Sequence, residues 1–275
     1  MAQEISLTSA MRANLLSLQS TVNLLNRTQE RLSSGKKVNS ALDNPTNYFA
    51  AKAHQNRAND IASLKDGMGE AIQTVKSASS GIDSISTLIE SAKGIAQAAL
   101  STSDALQRAQ YATQYDAVID QIDSLAGDSG YRGTNLLSGN TLSVKFGENA
   151  SSSLDIVGFN ATATGLTIGA ATGWNNADAT AGAVAINVAL TQLSGASSTL
   201  RVQASTLSSS LSIVQTRADW ADQMIATLRA GASALTDADM NEEGANMLML
   251  QTRQSLGTTA LSLSAQNAQS VLRLF

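Results

Sequence analysis

The sequence predicts a mainly α-helical chain: a long antiparallel coiled-coil or helical-bundle rod with one small β-hairpin region and paired N- and C-terminal helices. Two seven-residue apolar repeats carry this reading. The first runs Ile61, Leu64, Met68, Ala71, Val75, Ala78, Ile82, Ile85, Ile89, Ala92, Ala96, Ala99. The second runs Ile186, Leu190, Leu193, Ser197, Leu200, Ala204, Leu207, Leu211, Val214, Ala218, Ala221, Ile225, Leu228, Ala232, Leu235. Spacing that alternates three and four puts each set on one narrow helix stripe, the seam that coiled coils bury. At 1.5 Å per residue the helices would be roughly 60 and 75 Å long. A single proline and 4% aromatics among 275 residues fit long helices with thin seams rather than a wide core.

The first helix begins near Ser9 and carries Met11, Leu15, Leu18, Val22, Leu25, Gln29 and Leu32. From Ala13 to Asn26 it has no charge, which suits a helix packed on several sides. It stops at Ser33-Ser34-Gly35, with Lys36 and Lys37 at the negative end of its dipole. A non-helical stretch leads to Asn44-Pro45, because the residue before proline is steered out of the helical region. The first long helix then occupies about 46–100. After a turn and cap at Ser101–Asp104, a third helix carries Tyr111, Tyr115, Val118, Ile122 and Leu125, ended by Gly127, Gly130 and Gly133.

From Thr141 the period becomes two. Leu142, Val144 and Phe146, then Leu154 and Ile156, less cleanly Val157 to Phe159, then Leu166 and Ile168, read as short strands. Between Asp155 and Arg201 the only charge is Asp178, so this segment is either covered by neighbours or modified. The second long helix starts near Ala181 and breaks at Thr236–Asp239, where Asp239 and Glu242 have capping-box spacing. In the last helix Leu250, Gly257, Leu261, Ala268, Val271 and Phe275 share a stripe, widened by Leu263, Leu272 and Leu274. It too has a long stretch without charge, Gln254 to Leu272.

Composition narrows the function. A net charge of −4 offers no general attraction to nucleic acid or anionic membrane, and no apolar run is long enough to span a bilayer. No secretory signal is visible at residues 1–10. Zero cysteines and one histidine, His54, rule out disulfides, thiolate metal sites and histidine clusters. No phosphate loop or nucleophile elbow appears, so no enzyme and no cofactor is implied. Asp116, Asp120 and Asp123 are read as a solvated helix face, Lys36 and Lys37 as helix-end charges at a subunit contact, and Trp174 and Trp220 as packing residues. The terminal helices carry much apolar and little charged surface, so burying one face yields several kcal/mol at about 25 cal/mol/Å² against ordering of about 1–2 kcal/mol per residue. An isolated pair is therefore marginal and expected to be disordered in the monomer, gaining order only when packed against copies of itself. A head-to-tail contact that does not close gives a helical filament.

The stretch Arg31-Leu32-Ser33-Ser34-Gly35-Lys36-Lys37-Val38-Asn39-Ser40-Ala41, followed by Asp43-Asn44-Pro45, resembles the N-terminal signature of bacterial flagellins. Gly133-Thr134-Asn135-Leu136-Leu137, Val214-Gln215-Thr216-Arg217 and Ala265 to Leu272 match the family further, so the resemblance covers about 1–140 and 180–275. It implies a minimal flagellin without large outer domains, a homopolymer exported unfolded by the flagellum's own secretion apparatus. The implied partners are other copies, a secretion chaperone, the export apparatus, and cap and hook-associated proteins. Residues 1–42 and 237–275 would form the inner tube, and 43–236 a rod domain with a β region at about 141–180. The assembly interface would comprise Met11, Leu15, Leu18, Val22, Leu25, Leu32, Leu250, Leu261, Leu263, Ala268, Val271, Leu272 and Phe275. Ser151, Ser152, Ser153, Thr162 and Thr164 are candidate O-glycosylation positions in charge-poor surroundings. The alternatives are a hook–filament junction or cap-associated protein, or a surface module for polysaccharide or a receptor. Where enteric flagellins present a basic, leucine-rich segment to the animal Toll-like receptor, residues 88–97 include Glu90, Ser91 and Gly94, so that recognition is not carried over.

Overall fold

A computed structural model describes residues 9–148 and 152–272. The elements in order are α1 (Ser9–Ser34), α2 (Pro45–Leu100), α3 (Ala105–Asp128), β1 (Thr141–Lys145), β2 (Ser153–Val157), α4 (Ala179–Thr236) and α5 (Met240–Leu272). Two compact units are present: one from residues 1–57 and 227–275, the other from residues 58–226. Helices α2 and α4 contribute to both.

In the 58–226 unit the two heptad seams meet. Every seam residue of α2 from Met68 to Ala99 is buried, as are Ile186, Leu193, Leu200, Leu207, Val214 and Ala221 of α4. The alternate positions of α4, such as Leu190, Ala204 and Leu211, are half-buried against the same core. The helices run antiparallel: Lys65 pairs with Asp222 at 2.6 Å, and Ala99 lies across a small cavity from Ile186. Ala189 and Ala196 of α4 are buried as well, and Tyr115, Ile119 and Ile122 of α3 belong to the same core.

The turn after α3 explains the Gly-Thr-Asn-Leu-Leu motif. The Asn135 amide donates to the Ala126 and Gly127 carbonyls at 2.8 and 2.9 Å, closing the helix end. Its Oδ1 accepts from the Leu137 N–H at 2.9 Å, which turns Leu136 and Leu137 into the core. Leu137 fits over Gly81 of α2, where a Cβ would sit 2.6 Å from its methyl. Strands β1 and β2 form an antiparallel hairpin with Thr141 opposite Val157 and Lys145 opposite Ser153. Val144 and Ile156 point inward, and Arg217 of α4 lies over the Phe146 ring at 5.3 Å.

Three expectations need correction. Leu166 and Ile168 are buried but form no strand. Their backbone turns back on itself, with Leu166 N–H donating to Thr162 and Ile168 N–H to Ala163, and Thr167 at φ +58. Regular pairing ends at Val157, and Gly158 and Phe159 donate instead to Asn140 and Leu136 across the turn. Asp116 and Asp123 are not a merely solvated face: Asp123 accepts from the Ala163 N–H at 2.6 Å and Asp116 from Ala171 at 2.8 Å. They tie the 161–171 loop to α3, and only Asp120 of the three stays exposed without such a bond. Neighbours cover Ala161, Ala163, Leu166, Ile168 and Trp174, while the rest of this charge-poor segment is largely exposed.

One residue here went unremarked in the sequence. Arg108 of α3 is 1% exposed. Its Nε donates to the Trp174 carbonyl at 2.8 Å, Nη2 to Asn176 at 2.5 Å and Nη1 to Thr102 at 3.3 Å. Gly182 leaves room for it: a Cβ there would lie 3.1 Å from Nε. Trp174 itself is buried and packs on Tyr115 with ring centroids 4.8 Å apart, whereas Trp220 is exposed. Burial, with the Asp116 charge as a lesser cause, pushes the Tyr115 hydroxyl up to about 12.

Candidate assembly interface

The signature segment builds the corner that joins α1 to α2 and α4 to α5. Gly35 has φ +70, a conformation L side chains resist, and its N–H closes on Arg31 at 2.8 Å to end α1. The chain then pairs with the end of α4. Lys37 N–H donates to Thr236 at 2.7 Å, Ala238 N–H to Gly35 at 2.9 Å, and Lys37 Nζ to Ala234 at 3.0 Å. Val38 plugs the corner and is buried. The Asp43 carboxylate accepts from the N–H groups of Ser40 and Asn39 at 2.9 and 3.0 Å, and these bonds hold it below its ordinary range. Asn39 reaches back to Ser34 at 3.0 Å. Asn44 caps α2 through the Asn47 N–H at 3.1 Å, and Pro45 opens the helix where no donor is needed. On the other side Asp239 accepts from Asn241 and Glu242, the cap that its spacing predicts; the reciprocal bond from the Glu242 side chain is not formed among the described residues.

Helices α1 and α5 pack antiparallel. Arg31 Nη1 meets Glu243 Oε1 at 2.7 Å, and the glutamate is almost wholly buried. Farther along, Leu18 fills the space over Gly257, where a Cβ would come 2.5 Å from the leucine methyl. The stripe of α1 turned to α5 is Met11, Leu18, Thr21, Leu25, Thr28 and Leu32. Thr21 and Thr28 occupy places that the apolar spacing assigned to Val22 and Gln29. Thr21 can face the seam because its hydroxyl bonds back to the Ser17 carbonyl at 2.9 Å.

Of the expected interface residues, Met11 and Leu250 are buried in this pairing, while Leu18, Val22, Leu25, Leu32 and Leu261 are half-buried. Leu15 and Leu263 are exposed, the latter at 59%. Ala268, Val271 and Leu272 lie on α5 beyond the described side chains, and Phe275 lies outside the described residues. Spacing alone missed Leu16 and Leu24 on α1 and Leu248, Met249 and Leu256 on α5, all exposed. Met249, Leu256 and Leu263 recur every seven residues and so share an outward stripe. The sequence carries that repeat beside the stripe of Leu250, Gly257 and Leu261. The pair thus spends one face internally and leaves an apolar stripe open on α5.

Of the candidate modification positions, Ser153 and Thr164 are exposed, Ser152 and Thr162 are half-buried, and Ser151 lies outside the described residues. The Thr162 hydroxyl donates to Asn160 Oδ1 at 2.7 Å. His54 is half-buried near Gly231. Among the described residues no group of three or more acidic or histidine side chains converges as a metal site, and no helix is long and apolar enough to cross a membrane.

Two family models match the chain: the bacterial flagellin N-terminal helical region over residues 5–141 and the C-terminal helical region over 184–275. Among curated proteins, flagellin FljO of Caulobacter vibrioides is 30% identical over 95% of this chain and 94% of its own length. The flagellin of Brucella melitensis is 30% identical over 100% of this chain and 99% of its own. Among solved structures, the crystal structure of Bacillus cereus flagellin matches 56% of this chain and 88% of that chain, at 19% identity and a TM-score of 0.48.

Proposed function

Because the chain belongs to the bacterial flagellin family and is a subunit of the extracellular flagellar filament, we propose that its terminal helical domain, residues 1–42 and 237–275, forms the filament's inner tube. Residues 43–236 are then the rod domain around it, with the hairpin region at about 141–180 as its only elaboration. The subunit is minimal and serves swimming motility. The observation that carries the interface assignment is the open apolar stripe of α5: Met249, Leu256 and Leu263 stay exposed after α1 and α5 have paired, as does Leu16 on α1. Large apolar side chains left open in a row mark an interaction site. In a homopolymer the cover is another copy. The junction, cap and surface-module readings are not favoured by relatives that share nearly the whole chain under the name flagellin.

The same reading assigns a secretion chaperone, the export apparatus, and cap and hook-associated proteins as transient partners. It assigns glycan attachment to the 151–164 segment, with Ser153 and Thr164 the accessible positions. Intact mass of filament-derived protein checks this; a mass equal to the bare chain removes it. In the 88–97 segment Glu90 pairs with Lys93 at 2.7 Å, so no unpaired basic face for the Toll-like receptor is assigned.

The test is aspartate substitution on the two faces. Leu18→Asp and Leu261→Asp place a charge inside the α1–α5 pairing and should block both pairing and polymerisation. Leu263→Asp acts on the open face, so the monomer keeps its helical content yet fails to elongate on seeds, since a buried unpaired charge costs several kcal/mol in every subunit. Normal filaments from Leu263→Asp would refute the assignment.

A further inference from the structure

The open stripe of α5 contains one side chain whose polarity chemistry can change. Met249 is exposed at 57%, and Leu256 and Leu263 follow it along the helix, equally open. Methionine and leucine are close in volume and apolar character, so packing alone does not require sulfur at this place. The thioether differs in one respect. A peroxide converts it to a sulfoxide, which is polar and chiral. The remaining methionines of the described residues are placed otherwise. Met11 and Met68 are buried, and Met224 and Met247 are half-buried. Met240 is exposed at 48%, but it opens α5 nine residues before Met249. At about 100° per residue, nine steps put it on the opposite side of the helix. Among the described residues the stripe therefore holds one accessible thioether, in line with two leucines that a peroxide leaves unchanged.

We propose that Met249 is a modification site at which peroxides switch off the chain's competence to polymerise. The inference rests on the filament reading, in which another copy covers this stripe. In the reaction a sulfur lone pair attacks one peroxide oxygen, and the S–O bond forms as the O–O bond breaks. The departing hydroxide takes the proton of the transferred oxygen and leaves as water. Sulfur loses two electrons and the peroxide gains them, so one thioether and one hydrogen peroxide give one sulfoxide and one water. While the stripe faces solvent, water satisfies the new oxygen. Covered by a neighbour, the S=O group loses that water, and the contact weakens. A subunit oxidised before it is covered is therefore rejected by the growing end. One already inside the polymer keeps its sulfur out of reach. Reduction of the sulfoxide reverses the change.

Monomers are treated with hydrogen peroxide at a dose that spares the buried methionines, and the oxidised positions are located by peptide mass mapping. Elongation on seeds is followed before and after. Treatment should slow elongation of the natural chain by at least about tenfold, and sulfoxide reductases acting on both epimers should restore it. Met249→Leu keeps the apolar volume without the sulfur, so it should elongate normally and continue to do so after peroxide. Met240→Leu should remain as sensitive as the natural chain. In preformed filaments Met249 should oxidise at least about tenfold more slowly than in the monomer, a comparison that needs no variant. A Met249→Leu protein as sensitive to peroxide as the natural chain, or monomers bearing the Met249 sulfoxide that elongate at the untreated rate, would overturn the proposal and leave the filament reading intact. Failure of the untreated chain to elongate at all would remove both.

Discussion

Replacing Arg108 with methionine should weaken the 58–226 unit by about 1.5 kcal/mol. The guanidinium bonds three backbone carbonyls, two of them in the 174–176 segment that precedes α4. Hydrogen bonds from a charged donor contribute about 1.5–3 kcal/mol each. The Asn176 and Thr102 carbonyls sit at accessible positions and can take water after the change. The loss therefore concentrates on the Trp174 carbonyl, offset in part because a buried charge no longer needs to be desolvated. Methionine fills most of the stem volume, which separates loss of the fork from loss of packing. For a domain of this size a kcal/mol corresponds to roughly 2–4 °C, so the melting temperature should fall by about 3–6 °C. The assay is thermal unfolding of the monomer followed by Trp174 fluorescence in a Trp220→Phe background. Arg108→Lys should fall between the two, keeping a charge but not the fork. A shift of less than about 2 °C for Arg108→Met would refute the argument that this side chain holds the loop.

Other outcomes follow from single contacts. Gly158→Ala should cost about 3 kcal/mol in denaturant melts, because its Cβ would land on the Asn140 and Leu136 carbonyl oxygens, and neither backbone can yield without losing its own turn bonds. Gly257→Leu should displace Leu18 and weaken α1–α5 pairing, read as faster amide exchange in both helices; unchanged exchange would show that the close approach is unimportant. Tyr115 has its ionisation raised to about 12 from 10.0, so the folded state holds this proton more tightly than the unfolded chain. Its contribution is present below pH 10 and lost as pH rises through the interval to about 12. Tyr115→Phe should therefore flatten that alkaline loss in melts, and an unchanged slope would contradict the burial argument.

The α2 and α4 seams were legible because a buried coiled-coil face needs only a period, and twelve or more successive seam positions leave little ambiguity. The same logic misplaced part of the α1 stripe. There the uncharged polar residues are as numerous as the apolar ones, and Thr21 can face a partner by bonding its own helix, so hydropathy no longer distinguishes the two faces. Arg108 was unreadable for a different reason: its partners are main-chain carbonyls, two of them sixty-six and sixty-eight residues away, and a carbonyl has no signature in sequence. Asp116 and Asp123 were seen but given to solvent, since a helical spacing of carboxylates reads the same whether water or a loop N–H sits opposite. Leu166 and Ile168 alternate over too short a span to separate a strand from a turn that buries the same two side chains.

The contact of Leu18 with Gly257 has a consequence for how the chain ends find their alignment. Two nearly featureless helices could slide past one another by a heptad with little change in hydrophobic contact. A slip of seven along α5 would put Leu18 on Leu250 or Ser264 instead of a vacant Cα, and would pull Arg31 away from Glu243. A pit near one end and an ion pair at the other thus act like the two marks of a vernier, agreeing at one setting only. Each subunit carries its own gauge, so whenever its two ends pair they meet at one spacing.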